Sequence, residues 1–287
     1  MKKILVTGCN GQLGKSLHRE FDKSCDIEAV YTDYDTLDIT DEDAVGRFLA
    51  DGKFDVVVNC AAYTAVDKAE SDSVKAALLN TGAVGILGKA AVKNDSKVIH
   101  ISTDYVFSGQ HFRPYEENDE PYPQGMYGRT KLEGEALLTS FCQNAIIIRT
   151  AWLYSEYGNN FVKTMLSLAD TRPEINVVAD QIGSPTYAGD LAAAIHAVIK
   201  SETWKPGIYH FTDEGVASWY DFSKAIMEMT GKETKVNPVP SSAYPTPAKR
   251  PLYSVLSKQK IKKSFGLQIP YWRDSLRKCL GTIMHNG

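Results

Sequence analysis

Tyr127 and Lys131 stand four residues apart in QGMYGRTKLEGEALL (124–138), a stretch with helical spacing. Side chains at positions i and i+4 of a helix share a face. An ammonium beside a phenol favours the phenolate and lowers the phenol's pKa from about 10 toward neutrality. A tyrosine adjusted in this way can exchange a proton with a carbonyl/alcohol pair. The pair therefore predicts acid–base chemistry at Tyr127.

The same stretch makes two predictions about packing. Leu132, Ala136, Leu137 and Leu138 are predicted to form the buried side of the helix. Glycine is unfavourable by about 1 kcal/mol relative to alanine inside a helix, so a glycine there needs a reason. We interpret Gly128 as leaving space for ligands to approach the neighbouring phenol.

The Tyr-x-x-x-Lys spacing alone does not identify a site, because the chain contains it twice. Tyr220 and Lys224 form the second copy, in SWYDFSKAIMEM (218–229). Large apolar side chains recur through that stretch, which indicates an amphipathic helix that packs on a core. Position therefore favours Tyr127, which follows a cluster of polar residues at the end of a predicted strand.

That polar cluster is Ser102, Thr103 and Asp104, at the end of the predicted strand KVIHIS (97–102). Ligands of parallel sheets bind at the carboxyl ends of the strands. Two hydroxyls and a carboxylate would project there. The alternative is that these residues only end the strand with a turn.

Near the N-terminus, TGCNGQLG (7–14) spaces three glycines between a predicted strand and a predicted helix. Glycine lets the backbone approach a pyrophosphate, which the N–H groups of the helix N-terminus then hold. The alternative is a turn that only packs the strand on the helix. The residues predicted to contact a dinucleotide in this turn are Gly8, Asn10, Gly11, Gln12, Leu13 and Gly14.

Asp33 follows the second predicted strand (27–32). A carboxylate there can accept hydrogen bonds from an adenosine ribose, which favours NAD over NADP; otherwise Asp33 is a turn residue. Asp38 and Ile39 are predicted to flank the adenine. The third strand ends in NCAAYT (59–64), where small side chains leave room for a flat ligand, or simply pack tightly. The predicted contacts in this segment are Ala61, Ala62 and Tyr63.

Strands and helices alternate through the first half of the chain. The strands are predicted at 3–7, 27–32, 55–62, 97–102 and 145–150, and the helices at 11–21, 41–50, 66–93 (one or two helices) and 124–138. Near-continuous apolar strands between helices indicate a parallel sheet covered on both faces. The prediction is an α/β fold with a Rossmann-like doubly wound parallel sheet.

The second half is less regular. Helices are predicted at 158–169 and 190–200, strands at 175–180 and 207–212, and extended chain in the proline-rich segment 236–251. We therefore predict a dinucleotide-binding domain over 1–150, its sheet completed by parts of 174–212. Residues 151–287 are predicted to form mainly a smaller, irregular C-terminal substrate domain.

Composition excludes several classes of function. The 287 residues carry a net charge of −3, which gives no basic surplus for nucleic acid or an anionic membrane surface. No window approaches the roughly 20 apolar residues of a membrane span, and the apolar run after the start is too short for a signal peptide. The five cysteines lack C-x-x-C spacing. They favour reduced thiols in the cytoplasm over a disulfide or zinc framework.

Together these motifs resemble those of the extended short-chain dehydrogenase/reductase superfamily, and within it the dTDP-4-dehydrorhamnose reductases. The resemblance runs nearly the whole length of the chain. The segments that carry it are NCAAYTAVDKAE (59–70), STDYVFSG (102–109), YGRTKLEGE (127–135), RTAWLY (149–154), GNNFVKTML (158–166), DQIGSPT (180–186) and SSAYPTPAKRP (241–251).

The resemblance implies that NADPH or NADH reduces the 4-keto group of dTDP-4-dehydro-β-L-rhamnose to give dTDP-β-L-rhamnose. It implies three catalytic residues: the proton donor, a lysine that orients the nicotinamide ribose and lowers the phenol pKa, and a threonine that hydrogen-bonds the reacting oxygen. These are Tyr127, Lys131 and Thr103. It implies further substrate contacts, to the sugar or dTDP-sugar and near the diphosphate. These are Asp104, Trp152, Asn160 and Arg250.

Some members of the family form dimers around a magnesium ion held in part by a glutamate on the first helix. Lys15 and Ser16 stand where that ligand would be, which argues against a structural metal ion here. The resemblance therefore leaves both a monomer and a homodimer open.

Three alternatives follow from the same fold. Another dTDP- or UDP-4-ketosugar reductase or a 4-epimerase remains open. A 4,6-dehydratase is disfavoured, because Tyr105 stands where those enzymes carry a glutamate that protonates the leaving hydroxyl. The regulatory β subunit of methionine adenosyltransferase is a similar protein that is not an enzyme. The intact set of Thr103, Asp104, Tyr127 and Lys131 argues against that alternative.

Overall fold

The computed structural model describes residues 1–285. Within that range the strands are β1 Lys2–Thr7, β2 Ile27–Thr32, β3 Val56–Asn59, β4 Lys97–Thr103, β5 Ile146–Thr150, β6 Leu153–Tyr154, β7 Glu174–Val178, β8 Ile182–Gly183, β9 Thr186–Tyr187, β10 Gly207–His210, β11 Ala217–Ser218 and β12 Lys235–Val239. The helices are α1 Gln12–Phe21, α2 Glu42–Gly52, α3 Val66–Ala69, α4 Ser73–Ala77, α5 Ala83–Lys93, α6 Met126–Phe141, α7 Phe161–Thr171, α8 Ala188–Lys200, α9 Trp219–Thr230, α10 Gln259–Phe265 and α11 Trp272–His285.

Six of these strands form the central sheet, in the order β10-β5-β4-β3-β1-β2. Every neighbouring pair is parallel. The chain moves outward from β1 to β2 and then returns to the other side of β1 with β3, so a topological switch point lies between β1 and β3. The predicted α/β doubly wound parallel sheet is confirmed.

Each face of the sheet carries its own apolar core. On one face the strands pack against α1 and α8, through side chains such as Leu17 and Ile195. On the other face they pack against α2, α5 and α6, through side chains such as Leu49, Leu87 and Leu138. Because both faces are covered, the strands can be apolar at nearly every position, which is why their sequences carry a clear signal.

Several predicted elements have different bounds in the structure, and two of these differences lie near the site. The third strand was predicted over 55–62 but ends at Asn59, since the backbone N–H of Ala61 turns back to the Asn59 side chain. The helical span 66–93 is interrupted after α3, and a π-helical turn, Leu78–Gly82, joins α4 to α5. Such turns often mark functional positions, and this one carries the buried Asn80.

The second half adds one strand, β10, to the central sheet and otherwise builds small sheets of its own. These pair β7 with β12, β6 with β9 and β8 with β11. A third core collects apolar side chains of α7, α9 and α11, including Phe222 and Leu276. In the proline-rich segment, β12 is extended as predicted, and a short 3₁₀ turn follows at Ser241–Ala243. No helix within residues 1–285 is long and apolar enough to cross a bilayer.

Candidate active site

Helix α6 buries polar side chains as well as Leu138. Thr130, Lys131 and Glu135 are almost fully buried, whereas Ala136 is exposed and Leu132 is only half-buried. The prediction of an apolar buried side was therefore wrong for most of the helix. The reason is a set of buried partners that satisfies the polar groups, which an apolar pattern cannot register.

The glycines of α6 allow close packing. A Cβ at Gly128 would lie 2.2 Å from the carbonyl oxygen of Tyr105, and one at Gly134 would lie 2.0 Å from that of Asn80. Both contacts are to backbone, which cannot move aside as a flexible side chain can. The interpretation of Gly128 as open space for ligands was wrong, since its missing side chain brings α6 against the turn that follows β4.

The turn after β4 brings three predicted residues together. Thr103 donates a hydrogen bond from Oγ1 to Asp104 Oδ1 at 3.0 Å, and the Tyr105 ring packs edge-on against the Tyr127 ring with centroids 5.5 Å apart. Burial raises the pKa of Tyr127 to about 12; a hydrogen bond with the Thr103 hydroxyl opposes this, and the Asp104 charge adds to it. In the protein alone the phenol pKa is therefore raised, whereas the spacing had predicted a lowered one.

Asp104 is only 3% exposed and keeps one carboxylate oxygen, Oδ2, without a hydrogen-bond partner among the described residues. Burial raises its pKa to about 6, against smaller opposing influences from the Ser254 and Thr103 hydroxyls. A buried acceptor without a donor is costly unless a ligand or water satisfies it. Asp104 Oδ2 can therefore accept a hydrogen bond from a ligand hydroxyl or from the nearby Ser254 hydroxyl, which also lacks a partner among the described residues.

Lys131 lies beneath the turn and is 1% exposed. Its Nζ donates to the carbonyl oxygen of Ile101 at 2.6 Å and lies 3.3 Å from Nε2 of His100. Burial lowers the pKa of Lys131 to about 8, and the charge of Glu135 only partly offsets this. The lysine is thus held in one position and titrates near the physiological range.

The glycine turn is tight, and two of its glycines pack directly against neighbouring backbone. Gly8 adopts φ +67°, and a Cβ there would lie 2.6 Å from the Ala61 N. A Cβ at Gly14 would lie 2.5 Å from the Gly8 carbonyl oxygen. Gly11 is the N-cap of α1 and supplies no side-chain hydrogen bond. The N–H groups of the first turn of α1 therefore lack a side-chain cap and can serve a pyrophosphate.

Asp33 lies beside this turn. Its Oδ2 accepts a hydrogen bond from the Asn10 N–H at 2.9 Å, and its Oδ1 accepts one from the Tyr34 N–H at 2.9 Å. The hydrogen bond from Asn10 joins the Asp33 carboxylate to the backbone of the glycine turn. Asp35, the next charged neighbour along the chain, adds negative charge and no cation.

Three predicted cofactor residues have local packing roles in the structure. Leu13 and Ile39 are buried in the two cores that flank the sheet. Asp38 accepts hydrogen bonds from the backbone and hydroxyl of Thr40 through Oδ1. A contact from any of these residues to a dinucleotide stays a prediction. Leu13 could make it through its backbone.

The segment after β3 is held in place by amide side chains. The Tyr63 backbone exchanges two hydrogen bonds with the side chain of Asn80, at 2.8 and 3.1 Å, and Asn80 also donates to Thr130 on α6 at 3.2 Å. Ala61 and Ala62 lie half-buried between the glycine turn and this clamp. The backbone of the predicted flat-ligand surface is therefore fixed from both sides.

Trp152 is one of the few residues other than glycine with positive φ, at +51°. Its ring stacks on Trp219 with centroids 3.5 Å apart and an interplanar angle of 9°. A Cβ at Gly183 would lie 2.7 Å from the Trp152 ring and 2.9 Å from Ser254 Oγ. Trp152 is therefore held between an aromatic ring and a glycine, near the hydroxyl that influences Asp104. Backbone strain of this kind clusters at functional sites.

Asn160 and Gln12, predicted on opposite sides of the site, are bonded to each other. Asn160 Nδ2 donates to Gln12 Oε1 at 2.9 Å and to the backbone oxygen of Ser155 at 2.8 Å. Asn160 is also the N-cap of α7, because its Oδ1 accepts from the Lys163 N–H. A contact to a diphosphate would have to replace one of these hydrogen bonds.

Arg250 forms a bidentate ion pair with Asp67, with distances of 3.0 and 2.7 Å. Asp67 also accepts from the Ala248 N–H, so this pair ties α3 to the proline-rich segment. The guanidinium holds the pKa of Asp67 below its usual range. Arg250 therefore already has an anionic partner in the protein alone, and a diphosphate would compete with Asp67 for its fork of donors.

Sequence reasoning missed the buried supports of the site. Glu135, one turn after Lys131, binds Arg149 of β5 through two oxygens, at 2.9 and 2.6 Å, and accepts a hydrogen bond from Ser102. His100 contacts the lysine, and Asn59 contacts His100. The available signal was a polar residue inside an otherwise apolar strand, as in KVIHIST, because such a residue needs a partner when it is buried.

The second Tyr-x-x-x-Lys pair lies far along the chain, on α9. Tyr220 is partly buried beside the third core, and Lys224 is exposed. The residues described by the structure contain no group of three or more His, Cys, Asp or Glu arranged to hold a metal ion. All five cysteines are free thiols.

The glycine turn, the polar cluster at the end of β4 and the Tyr-Lys helix together define the class of Rossmann-fold proteins with a short-chain dehydrogenase/reductase type of site. The family model described as the RmlD substrate binding domain matches residues 1–284, and the chain belongs to that family.

Its relatives include the dTDP-4-dehydrorhamnose reductase of Aggregatibacter actinomycetemcomitans. The two are 43% identical over 96% of this chain and 98% of that protein. A crystal structure of a dTDP-4-dehydrorhamnose reductase from Clostridium acetobutylicum is 42% identical, with a TM-score of 0.94, and the match covers 98% of this chain and 99% of that one. The reductase from Bacillus anthracis, solved in complex with NADP, is 36% identical with a TM-score of 0.93, over the same shares of the two chains.

Proposed function

We propose that this protein reduces the 4-keto group of dTDP-4-dehydro-β-L-rhamnose with NADPH or NADH, giving dTDP-β-L-rhamnose. The observation that carries the proposal is the meeting of Thr103, Asp104, Tyr127 and Lys131 at the carboxyl end of β4, beside the glycine turn. The full-length similarity to dTDP-4-dehydrorhamnose reductases supports the substrate.

The residues present fit a nicotinamide dinucleotide. Gly8 and Gly14 keep the turn tight by letting it pack against neighbouring backbone, and the uncapped N–H groups of α1 suit a pyrophosphate. When bound, the reduced nicotinamide supplies the hydride. The NADP complex of the B. anthracis relative supports a cofactor of this kind.

In the proposed reaction Tyr127 protonates the 4-oxygen of the sugar. A ketone reductase needs its tyrosine protonated at the start, and the raised pKa of Tyr127 meets that need at neutral pH. Thr103, which interacts with the same phenol, donates a hydrogen bond to the reacting oxygen in exchange for its bond to Asp104. As the proton leaves, negative charge develops on the phenol, and a cationic Lys131 stabilises it.

The sugar and its diphosphate are assigned to the surrounding residues. Asp104 accepts a hydrogen bond from a sugar hydroxyl through its free Oδ2. Trp152 supplies an apolar wall to the sugar ring. Arg250 pairs with the diphosphate in exchange for Asp67, and Asn160 lies nearby. Arginine suits this task because its planar fork matches phosphate oxygens.

We also propose that the enzyme accepts NADH readily. Asp33 would repel a 2′-phosphate, and its immediate neighbours Tyr34 and Asp35 supply no cation. The reaction is expected in the cytoplasm, by a monomer or a homodimer.

The test is turnover of purified protein with dTDP-4-dehydrorhamnose and each cofactor, with the sugar product identified by NMR. The proposal expects one NAD(P)H consumed for each dTDP-rhamnose formed. Folded protein that consumes neither cofactor would contradict the proposal. Sugar interconversion without net cofactor consumption would instead identify a 4-epimerase.

A further inference from the structure

A row of polar side chains crosses three adjacent strands beneath the candidate site. Thr7, Asn59 and His100 are aligned by the parallel register of β1, β3 and β4. All three are buried, and His100 is 0% exposed. The row begins at the residue before Gly8 and ends at Lys131, so it joins the glycine turn to the lysine.

The orientation of the Asn59 amide in this row is fixed by its donors. Asn59 Oδ1 lies 2.7 Å from Thr7 Oγ1 and 3.1 Å from the backbone N of Ala61. A backbone N–H can only donate, so the Asn59 atom facing Ala61 must be the carbonyl oxygen. The amide nitrogen Nδ2 therefore faces His100, at 3.0 Å from its Nδ1.

The orientation of the Asn59 amide determines the protonation state and the tautomer of His100. Because Asn59 Nδ2 donates, His100 Nδ1 must accept, and the ring of a neutral histidine then carries its proton on Nε2. A doubly protonated ring would point an N–H at the Asn59 amide hydrogens. Burial holds the pKa of His100 well below its usual range, which agrees with a neutral ring.

The Nε2–H of His100 points toward Lys131 Nζ, 3.3 Å away. An ammonium has three donors and no lone pair, so it cannot accept this hydrogen, whereas an uncharged amine can. The second contact of Nζ, to the Ile101 carbonyl, suits either form because the nitrogen donates there. The hydrogen-bond pattern therefore favours the amine.

We propose that Asn59 and His100 are positioning residues for Lys131: Asn59 fixes the neutral Nε2–H form of His100, and that form favours the uncharged amine of Lys131 in the protein before nucleotide binds. The role of Lys131 in reduction rests on the function proposed above. The hydrogen-bond pattern itself does not depend on that function.

The other groups around Lys131 leave this preference in place. Glu135 is the nearest carboxylate on α6, but its charge is shared with the bidentate Arg149 pair. Burial raises the pKa of the Cys60 thiol, so it supplies no thiolate at neutral pH. Tyr127 is a protonated phenol. His100 is thus the side chain that contacts Nζ directly.

The first experiment is ¹⁵N NMR of histidine-labelled protein between pH 6 and 9, with the His100 signals assigned by their loss in His100→Gln. The ring nitrogen shifts distinguish the two neutral tautomers and the charged ring. We expect His100 to show the Nε2–H tautomer at every pH. An Nδ1–H tautomer, or titration near pH 6.5, would overturn the proposal.

The second experiment reverses the pattern with Asn59→Asp. The carboxylate has the shape of the amide and still accepts from Thr7 and Ala61, but it forces His100 to donate from Nδ1 and to present a lone pair to Lys131. We expect the His100 tautomer to switch. We also expect the alkaline limb of kcat/KM to move to higher pH by about one unit, since both the lone pair and the new negative charge favour the ammonium.

His100→Gln separates the hydrogen-bond pattern from the added charge. Glutamine can accept from Asn59 through Oε1 and donate to Lys131 through Nε2. The alkaline limb of kcat/KM for His100→Gln should therefore stay at the wild-type pH, even if the variant turns over more slowly. A tautomer switch in Asn59→Asp without any movement of the limb would overturn the link to Lys131. If His100 shows the expected tautomer but the protein reduces no ketosugar, the hydrogen-bond pattern is supported and only the proposed function is refuted.

Discussion

Asp33 is the residue on which the choice between the two dinucleotides depends. Replacing it by serine removes a negative charge from the place where a 2′-phosphate would lie. We expect Asp33→Ser to shift the ratio of kcat/KM for NADPH over NADH toward NADPH by about tenfold, which corresponds to about 1.4 kcal/mol. Comparing initial rates with the two cofactors measures this ratio, and any loss of stability cancels in it.

Asp35→Ser is the matched control for this prediction, because it removes the same charge from an exposed position two residues further on. Its effect on the ratio should be clearly smaller. Equal shifts in the two variants would mean that the general negative charge of this loop, and not Asp33, discriminates between the cofactors.

Asp104 should make stability depend on pH. Its folded-state pKa is about 6, raised from 3.8 mainly by burial. A raised folded pKa means that the folded protein binds the proton more tightly than the unfolded chain does. The stabilisation that the protonated Asp104 gives to the folded protein is therefore complete below about pH 4, and it is lost as the pH rises through about 6.

Asp104→Asn does not titrate at this position, so it should gain stability relative to wild type as the pH rises. The pKa difference corresponds to about 3 kcal/mol, and we expect a relative gain of 1–3 kcal/mol between pH 4 and 7.5. Urea unfolding at the two pH values measures it. A stability difference that stays constant with pH would contradict a buried, destabilised carboxylate.

At the scale of elements, α6 depends on glycines for its position. A Cβ at Gly128 would meet the Tyr105 carbonyl oxygen at 2.2 Å, so Gly128→Ala must displace the helix or the turn. We expect a loss of about 1–3 kcal/mol in the free energy of unfolding, together with reduced turnover because Tyr127 moves. Denaturant unfolding and activity assays measure the two effects.

Gly46→Ala is the control for this substitution. Gly46 lies inside α2, and a Cβ there would meet nothing within 4 Å. The same chemical change should therefore stabilise the protein by up to about 1 kcal/mol through helix propensity. If Gly128→Ala behaved like Gly46→Ala, the close approach of α6 to the Tyr105 turn would be refuted.

The sequence predicted where the helices and strands lie better than it predicted which of their faces are buried. The strands of the central sheet were predictable because each is a short apolar run, as in ILV or VVV, bounded by turn residues. The inner face of α6 was not, because Lys131 and Glu135 look like surface residues until their partners on β4 and β5 are known. Ile39 is the converse case: the sequence does not show that this residue lies in a core, since that place depends on packing between distant segments.

The polar supports of the site could not be predicted for a related reason. Asn59 and His100 lie 41 residues apart along the chain, and only the register of β3 with β4 brings them into contact. A polar residue within an apolar strand shows that a partner must exist, but it does not show which one. The spacing of residues in the sequence identified Tyr127 and Lys131, whereas the pairing of strands in the sheet determines which side chains support them.

At the scale of the whole molecule, the two halves of the chain meet around the site. Gln12 of the glycine turn bonds to Ser155 and Asn160 of the second half, at 3.0 and 2.9 Å. Asp67 of the first half pairs with Arg250 of the second. The nucleotide side and the sugar side are therefore linked by hydrogen bonds and an ion pair. A ligand spanning both would contact residues from nearly the whole chain length.

The central claim is that Tyr127 is the proton donor of a ketosugar reductase, and the chain supplies its own control in the second Tyr-x-x-x-Lys pair. The most direct measurement is kcat for reduction of dTDP-4-dehydrorhamnose by Tyr127→Phe and Tyr220→Phe, with cofactor binding measured separately. We predict that Tyr127→Phe binds cofactor but loses about 10²- to 10⁴-fold in kcat, and that Tyr220→Phe keeps a rate of the wild-type order. Near-normal turnover by Tyr127→Phe would contradict the account.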